Sequence, residues 1–280
     1  MLKARLRLAL RAERALGMQV VPLEIDIESA PASSPIVQER SAKPALGIQR
    51  EANVKTVAPV PGKPGAIIVP AVLPMAGAFT SPVLSTEEKR LKLTAMDREE
   101  VSICVKCRLC ETRTKTVFGE GDVDAKIFFI GEGPGENEDL QGRPFVGRAG
   151  ELLDRMIAGM GLKREQVFIA NIVKCRPPQN REPATDETLA CTPYLERQLE
   201  IIRPRVIVTL GKPAAHHMLQ VKTPISKMRG LWQEWRGIRL MPTFHPAYIL
   251  RNYTEQTRRQ VWSDLQQVMD EVGLPRKKSV

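Results

Sequence analysis

Five cysteines stand in the chain, and four of them have a spacing that suits a metal. Cys104-x-x-Cys107 is a two-ligand clip, and Cys175 and Cys191 are separated by fifteen residues. Thiolates bind soft or borderline metals, and four of them saturate either a zinc ion or an iron–sulfur cluster. Spacing alone does not choose between these. The plainer alternative is five unrelated cysteines, some buried as small apolar residues. The clip makes that the weaker reading. Cys110, three residues past Cys107, reads as a spare thiol.

Three further stretches carry residues suited to chemistry. The first runs Gly131-Glu132-Gly133-Pro134-Gly135-Glu136 and continues through Glu138, Asp139 and Phe145 to Gly150. It is not G-x-G-x-x-G, and Pro134 with the nearby acids does not suit a pyrophosphate. Its glycines allow close backbone approach to a ligand. The second runs from Asn171 through Lys174-Cys175-Arg176 to Arg181, and the third from Pro242 through His245-Pro246-Ala247-Tyr248 to Asn252.

These stretches sit on a regular alternation of elements. Apolar runs of strand length occur at Lys126–Gly131, Val167–Val173, Arg205–Gly211 and Arg239–Phe244. Helical patterns lie at Gly147–Met160, Thr185–Ile202, Lys212–Leu219 and Thr257–Val272. Ser85-Thr86-Glu87-Glu88 has the form of a helix start. Short apolar strands alternating with helices predict a parallel sheet covered on both faces, hence an α/β fold. Ligands in such folds sit beyond the carboxyl ends of the strands. Gly131, Asn171, Gly211 and His245 fall at or just past those ends.

The chain has 280 residues and a formal net charge of +10. A positive balance of that size suits a polyanion such as nucleic acid, or an acidic membrane surface. No apolar run reaches the length of a membrane span, and no signal-peptide core is visible. The expected compartment is the cytosol, where clustered cysteines more often bind metal than pair. Composition changes near residue 85. Residues 1–17 suit a short basic amphipathic helix, and Pro31 to Pro82 reads as an extended, largely disordered Pro/Ala-rich linker. The expected division is an extension over 1–85 and a compact α/β domain over 86–280.

Taken together and in order, the three long motifs and the cysteine pattern closely resemble the family 4 uracil-DNA glycosylases, an iron–sulfur branch of bacteria and archaea. The resemblance covers roughly the last two thirds of the chain and not residues 1–85. Family 5 is a poorer match, because it lacks an acid where this chain has Glu132. The resemblance implies a three-layer αβα sandwich around a four-stranded parallel sheet. It implies a [4Fe–4S] cluster on Cys104, Cys107, Cys175 and Cys191, bracing loops rather than doing redox chemistry. It implies a monofunctional enzyme that releases free uracil from single- or double-stranded DNA and leaves an abasic site for downstream repair enzymes. The expected assembly is a monomer.

The same resemblance implies roles for individual residues. Phe145 is the stacking aromatic, Asn171 the reader of the uracil edge and His245 the catalytic histidine. Glu132, Gly133 and Pro134 line the pocket, and Glu138 walls off C5. Glu132 could orient the attacking water, although related families carry an aspartate where Gly133 falls. By position, Tyr248, Ile249 and Leu250 are expected on an exposed loop that wedges into the base stack. Lys174, Arg176, Arg181, Lys227, Arg229 and Arg251 are candidate phosphate contacts. Two alternatives stay open: a non-catalytic DNA-binding metalloprotein of repair or replication, and a zinc protein.

Overall fold

A computed structural model describes residues 79–276. The expected basic helix and most of the expected linker lie outside the described residues. The first helix, α1 (Thr86–Met96), starts at Ser85 with a reciprocal cap: the Ser85 hydroxyl accepts from Glu88 N, and Ser85 N donates to the Glu88 carboxylate at 2.8 Å. Each bond satisfies a backbone donor that a helix start leaves free. Ahead of it, Phe79 already packs edge-on against Trp235, with ring centroids 5.9 Å apart.

The sheet has six strands: β1 (Glu120–Gly121), β2 (Ile127–Gly131), β3 (Phe168–Asn171), β4 (Val206–Leu210), β5 (Gln233–Trp235) and β6 (Ile238–Thr243). Their spatial order is β1-β3-β2-β4-β6-β5. The inner four are parallel and match the four expected strands. The expected sheet is corrected at its edges, where short antiparallel strands β1 and β5 extend it. Two- and three-residue edge strands leave too short an alternation to be read from sequence.

The parallel strands are buried on both faces, and β2 shows why. Phe128 and Ile130 enter one core with Phe168, Ile207 and Leu240, while Ile127 and Phe129 enter the other with Ile169, Val208 and Met241. Helices α1, α4 (Thr185–Ile202) and α5 (Lys212–Leu219) supply Leu93, Leu195, Leu199 and Met218 to the first core. Helices α3 (Arg148–Gly159) and α8 (Glu255–Val272) supply Leu153, Ile157, Leu265 and Val268 to the second. Each fully buried side chain of this size contributes ~1.5–3 kcal/mol. Three short α-helices complete the set among the described residues: α2 (Glu136–Gln141), α6 (Ile225–Met228) and α7 (Pro246–Arg251). Connections from the neighbouring strands β2 and β4 run to opposite sides of the sheet, through α3 in the second core and α5 in the first, and this opens a crevice beyond the strand ends.

The carboxyl end of β6 rests on a buried ion pair. The carboxylate of Asp264, on α8, accepts from Arg229 Nε at 3.0 Å and from the Thr243 hydroxyl at 2.7 Å. Asp264 is fully buried, and Arg229 also donates to Gln260 O and lies over the Phe244 ring. Arg229 does not stand free, as its place in the sequence suggests: its guanidinium buttresses β6. Removing one partner of a buried pair strands the other charge. Asp264→Ala is expected to lower unfolding stability by about 3–5 kcal/mol in urea titration.

Candidate active site

A cleft of about 580 Å³ opens beyond the ends of β2, β3, β4 and β6. Its walls bring together Glu132, Gly133, Pro134, Glu138, Phe145, Asn171, Arg181, His245, Tyr248 and Arg251, which lie up to 119 residues apart in the sequence. Leu250 and Arg176 lie outside this lining.

Strands β2 and β3 finish side by side, with Gly131 opposite Asn171. A Cβ on Gly131 would stand 2.3 Å from Asn171 Oδ1 and 2.6 Å from the Phe145 ring. The missing side chain is what lets the amide and the ring share the floor of the cleft. Asn171 is 1% exposed, and its Oδ1 is a buried acceptor with no partner among the described residues. Buried polar atoms nearly always have a partner, so an orphan aimed into a cleft marks a place for a ligand donor. Phe145 holds a left-handed backbone, φ 51°, at a cost of ~1–2 kcal/mol for a residue with a Cβ. Its ring lies 5.7 Å from the His245 ring, tilted by 31°.

His245 follows β6 and caps α7. Its Nδ1 accepts from Ala247 N at 3.0 Å. A nitrogen that accepts cannot carry the proton, so the neutral ring is protonated on Nε2. Burial pushes the imidazole down to about 4; Arg251 adds to this and Glu138 opposes it. Near neutral pH the ring is therefore an uncharged Nε2–H donor. Gly211, at φ 89°, gives it room, since a Cβ there would stand 2.9 Å from His245 Cβ.

The two cleft acids differ. Glu138 accepts from Gly135 N, Val146 N and Gly147 N at 2.8–3.1 Å, so its carboxylate clamps the glycine loop. Asp139, beside it, is buried and accepts from Thr114 N and Lys115 N. Glu132 makes no such bonds among the described residues. Burial pushes its carboxyl up to about 7, aided by Glu182 and opposed by Lys212. Lys212 lines the cleft and was missed in the sequence; its signal was its place directly after Gly211 at a strand end.

The expected surface contacts differ in where the structure places them. Tyr248, Ile249 and Leu250 lie on α7 and not on a loop, because Pro246 and the His245 cap start a helix there. Ile249 is buried and packs back onto the domain, and the Tyr248 ring stacks on Phe244. Lys174 is buried and bonded internally, so it is no phosphate contact. Arg181 is paired with the buried Glu187 at 2.6 Å, and Arg176 donates to Asn180 Oδ1 at 2.8 Å. Arg251 is exposed at the end of α7.

Cys104, Cys107, Cys175 and Cys191 line one small cavity together with Arg113, Lys174 and Tyr194. Arg113 donates to Cys175 Sγ at 3.3 Å, and Lys174 N donates to Cys191 Sγ at 3.2 Å. Such donors suit sulfurs that carry negative charge. Among the described residues no three His, Cys, Asp or Glu side chains converge tightly enough for a single metal ion. Cys110 stands outside the cavity lining as a free thiol.

A sheet with a parallel centre covered on both faces, and a cleft at its strand ends that holds an aromatic ring, a buried amide with an unpartnered oxygen and an uncharged histidine, defines an α/β protein with a ligand-sized site. The chain belongs to the uracil DNA glycosylase superfamily, whose model matches residues 118–266. It is 48% identical over 179 residues to the type-4 uracil-DNA glycosylase of Thermotoga maritima, covering 63% of this chain and 93% of that protein. The type-4 enzyme of Sulfurisphaera tokodaii is 45% identical over 192 residues, covering 65% and 86%. A type-5 enzyme of Pyrobaculum aerophilum is 29% identical over 144 residues, covering 45% and 63%. The chain thus sides with the type-4 branch. Among the described residues no helix is long and apolar enough to cross a membrane.

Gly131→Ala is expected to push Asn171 and Phe145 out of place while leaving the fold intact. A misplacement near 1 Å costs about 10²-fold in rate. Turnover measured beside a thermal melt checks both halves of this.

Proposed function

We propose that the chain is a monofunctional uracil-DNA glycosylase, hydrolysing the bond between uracil and deoxyribose in DNA. The observation that carries the reading is the orphaned Oδ1 of Asn171, buried in the cleft beside an aromatic ring. Uracil extruded from the stack offers N3–H to that oxygen, while the Asn171 amide donates to O4. Cytosine presents the reverse pattern and would leave both groups unpaired. Stacking on Phe145 adds ~1–3 kcal/mol and is indifferent to the base.

As the C1′–N1 bond breaks, its electron pair moves to the base and accumulates toward O2. The His245 Nε2–H is the donor assigned there. An uncharged donor fixed in place favours the charge of the transition state over the ground state and needs no proton transfer. The sugar becomes cationic and water attacks C1′. Glu132 is the acid assigned to offset that cation and accept the water's proton, since Glu138 is spent on the loop and Gly133 offers no carboxylate. Gly133 and Pro134 shape the wall, and the clamped Glu138 holds the side facing C5. Arg251, Tyr248 and Leu250, with the partly engaged Arg176 and Arg181, are the residues assigned to the DNA strand.

A [4Fe–4S] cluster is the group assigned to Cys104, Cys107, Cys175 and Cys191. In a cluster each thiolate binds its own iron, so four sulfurs around one cavity need not meet at a point as they must around zinc. When bound, the cluster would supply cross-links between loops and no chemistry on the base. Cys175→Ser is expected to lower iron content and soluble yield. A colourless, zinc-loaded wild-type preparation would favour the zinc reading instead.

A single-uracil oligonucleotide tests the main proposal. Asn171→Ala and His245→Ala are each expected to slow uracil release by about 10²–10³-fold with iron content retained. Well-loaded wild-type protein that binds the strand but yields no alkali-labile site would instead support a non-catalytic DNA-binding protein.

The pH profile follows from the two cleft groups. A carboxyl titrating near 7 is ionised to about a tenth one pH unit below. Single-turnover release is therefore expected to rise with pH through about 7 and then level off. Glu132→Gln should be slower and lack that rise. No inflection from His245 is expected above about 4. A wild-type rise that survived in Glu132→Gln would assign the titration elsewhere.

A further inference from the structure

Lys174 is a buried cation that the reaction does not use. It is 1% exposed, although lysine is almost never fully buried. Its ammonium donates to Asn171 O at 2.9 Å and to Gln198 Oε1 at 2.7 Å. Gln198, on α4, is also fully buried, and its amide donates to Phe118 O at 2.9 Å. The Lys174 backbone is fixed as well: its N–H meets Cys191 Sγ, and its carbonyl accepts from Val117 N at 2.7 Å.

Packing alone gives no reason for this arrangement. An apolar side chain of similar volume would fill the space without the desolvation cost of an ion. What the ammonium adds is direction. Asn171 closes β3, just before Ile172 N and Val173 N carry the pairing on to Gly131 O and Glu132 O. Its carbonyl is held from behind by a charged donor, and its side chain faces the cleft. A charge-assisted bond is shorter and stronger than a neutral one and fixes a peptide plane more firmly.

We propose that Lys174 is a positioning residue for uracil recognition: from the core it fixes the peptide of Asn171, and so the aim of the amide at the base. This rests on the glycosylase reading. The competing role, counter-charge to the cysteine site, would act on cluster content and not through Asn171.

A double-mutant cycle separates the two roles. Single-turnover uracil release and iron content are measured for wild type, Lys174→Met, Asn171→Ala and the double variant. Lys174→Met is expected to slow release about tenfold or more when Asn171 is present. It is expected to add little in the Asn171→Ala background, with iron content unchanged in both. Equal slowing in the two backgrounds, or no slowing in either, would overturn the proposal while leaving the glycosylase reading intact. Wild-type protein that releases no uracil would overturn both. If Lys174→Met is insoluble, Gln198→Met, which removes the ammonium's other acceptor, is carried through the same cycle and judged by the same criteria.

Discussion

The cleft depends on the place where β2 and β3 end together. Their parallel register puts Gly131 beside Asn171, and the absent Cβ leaves one space for an amide oxygen and an aromatic ring. Strand pairing cannot slip there without moving every side chain to the other face. The buried alternation of Phe128 with Phe129 therefore sets the geometry of the site as well as the core. Phe145 accepts a left-handed backbone and Asn171 an unpaired oxygen around that one gap. Local costs of this kind collect at functional sites because the rest of the fold over-determines them.

The cysteine segment reaches the cleft by three polar routes. Arg113 joins Cys104 O to Cys175 Sγ, and the backbone just after it donates to Asp139 on α2. Arg108, directly after Cys107, meets Glu187 at 3.1 Å, and Glu187 holds Arg181 at the cleft wall. Lys174, directly before Cys175, holds Asn171. Each route runs through a buried or half-buried acceptor, where a lost partner is costly. Whatever fixes the four sulfurs thus also fixes loops on three sides of the cleft.

Much of this could be read from the residues, and the rest had identifiable reasons for staying hidden. The four parallel strands and the long helices were legible because their apolar runs are continuous and their helix faces periodic. The edge strands were too short to show a period. Glu132, Asn171 and His245 were legible as strand-end residues, and Phe145 through the family resemblance of its loop; the cleft gathers all four. What sequence could not supply was partnership. Arg229 and Lys174 read as free cations, yet one is held by Asp264, 35 residues away, and the other by Gln198, 24 residues away. Arg181 likewise faces a buried carboxylate from the next helix. The protonation state of His245 was equally hidden, since it depends on a bond from Ala247 N and on burial.

That bond from Ala247 N does more than select a tautomer. The ring that lines the cleft is also the cap of α7, the helix that carries Tyr248 and Arg251 in the same lining. Imidazole and helix form one lever. A shift of the helix would carry the ring with it, so the shape of the cleft mouth and the aim of the Nε2–H donor are set together.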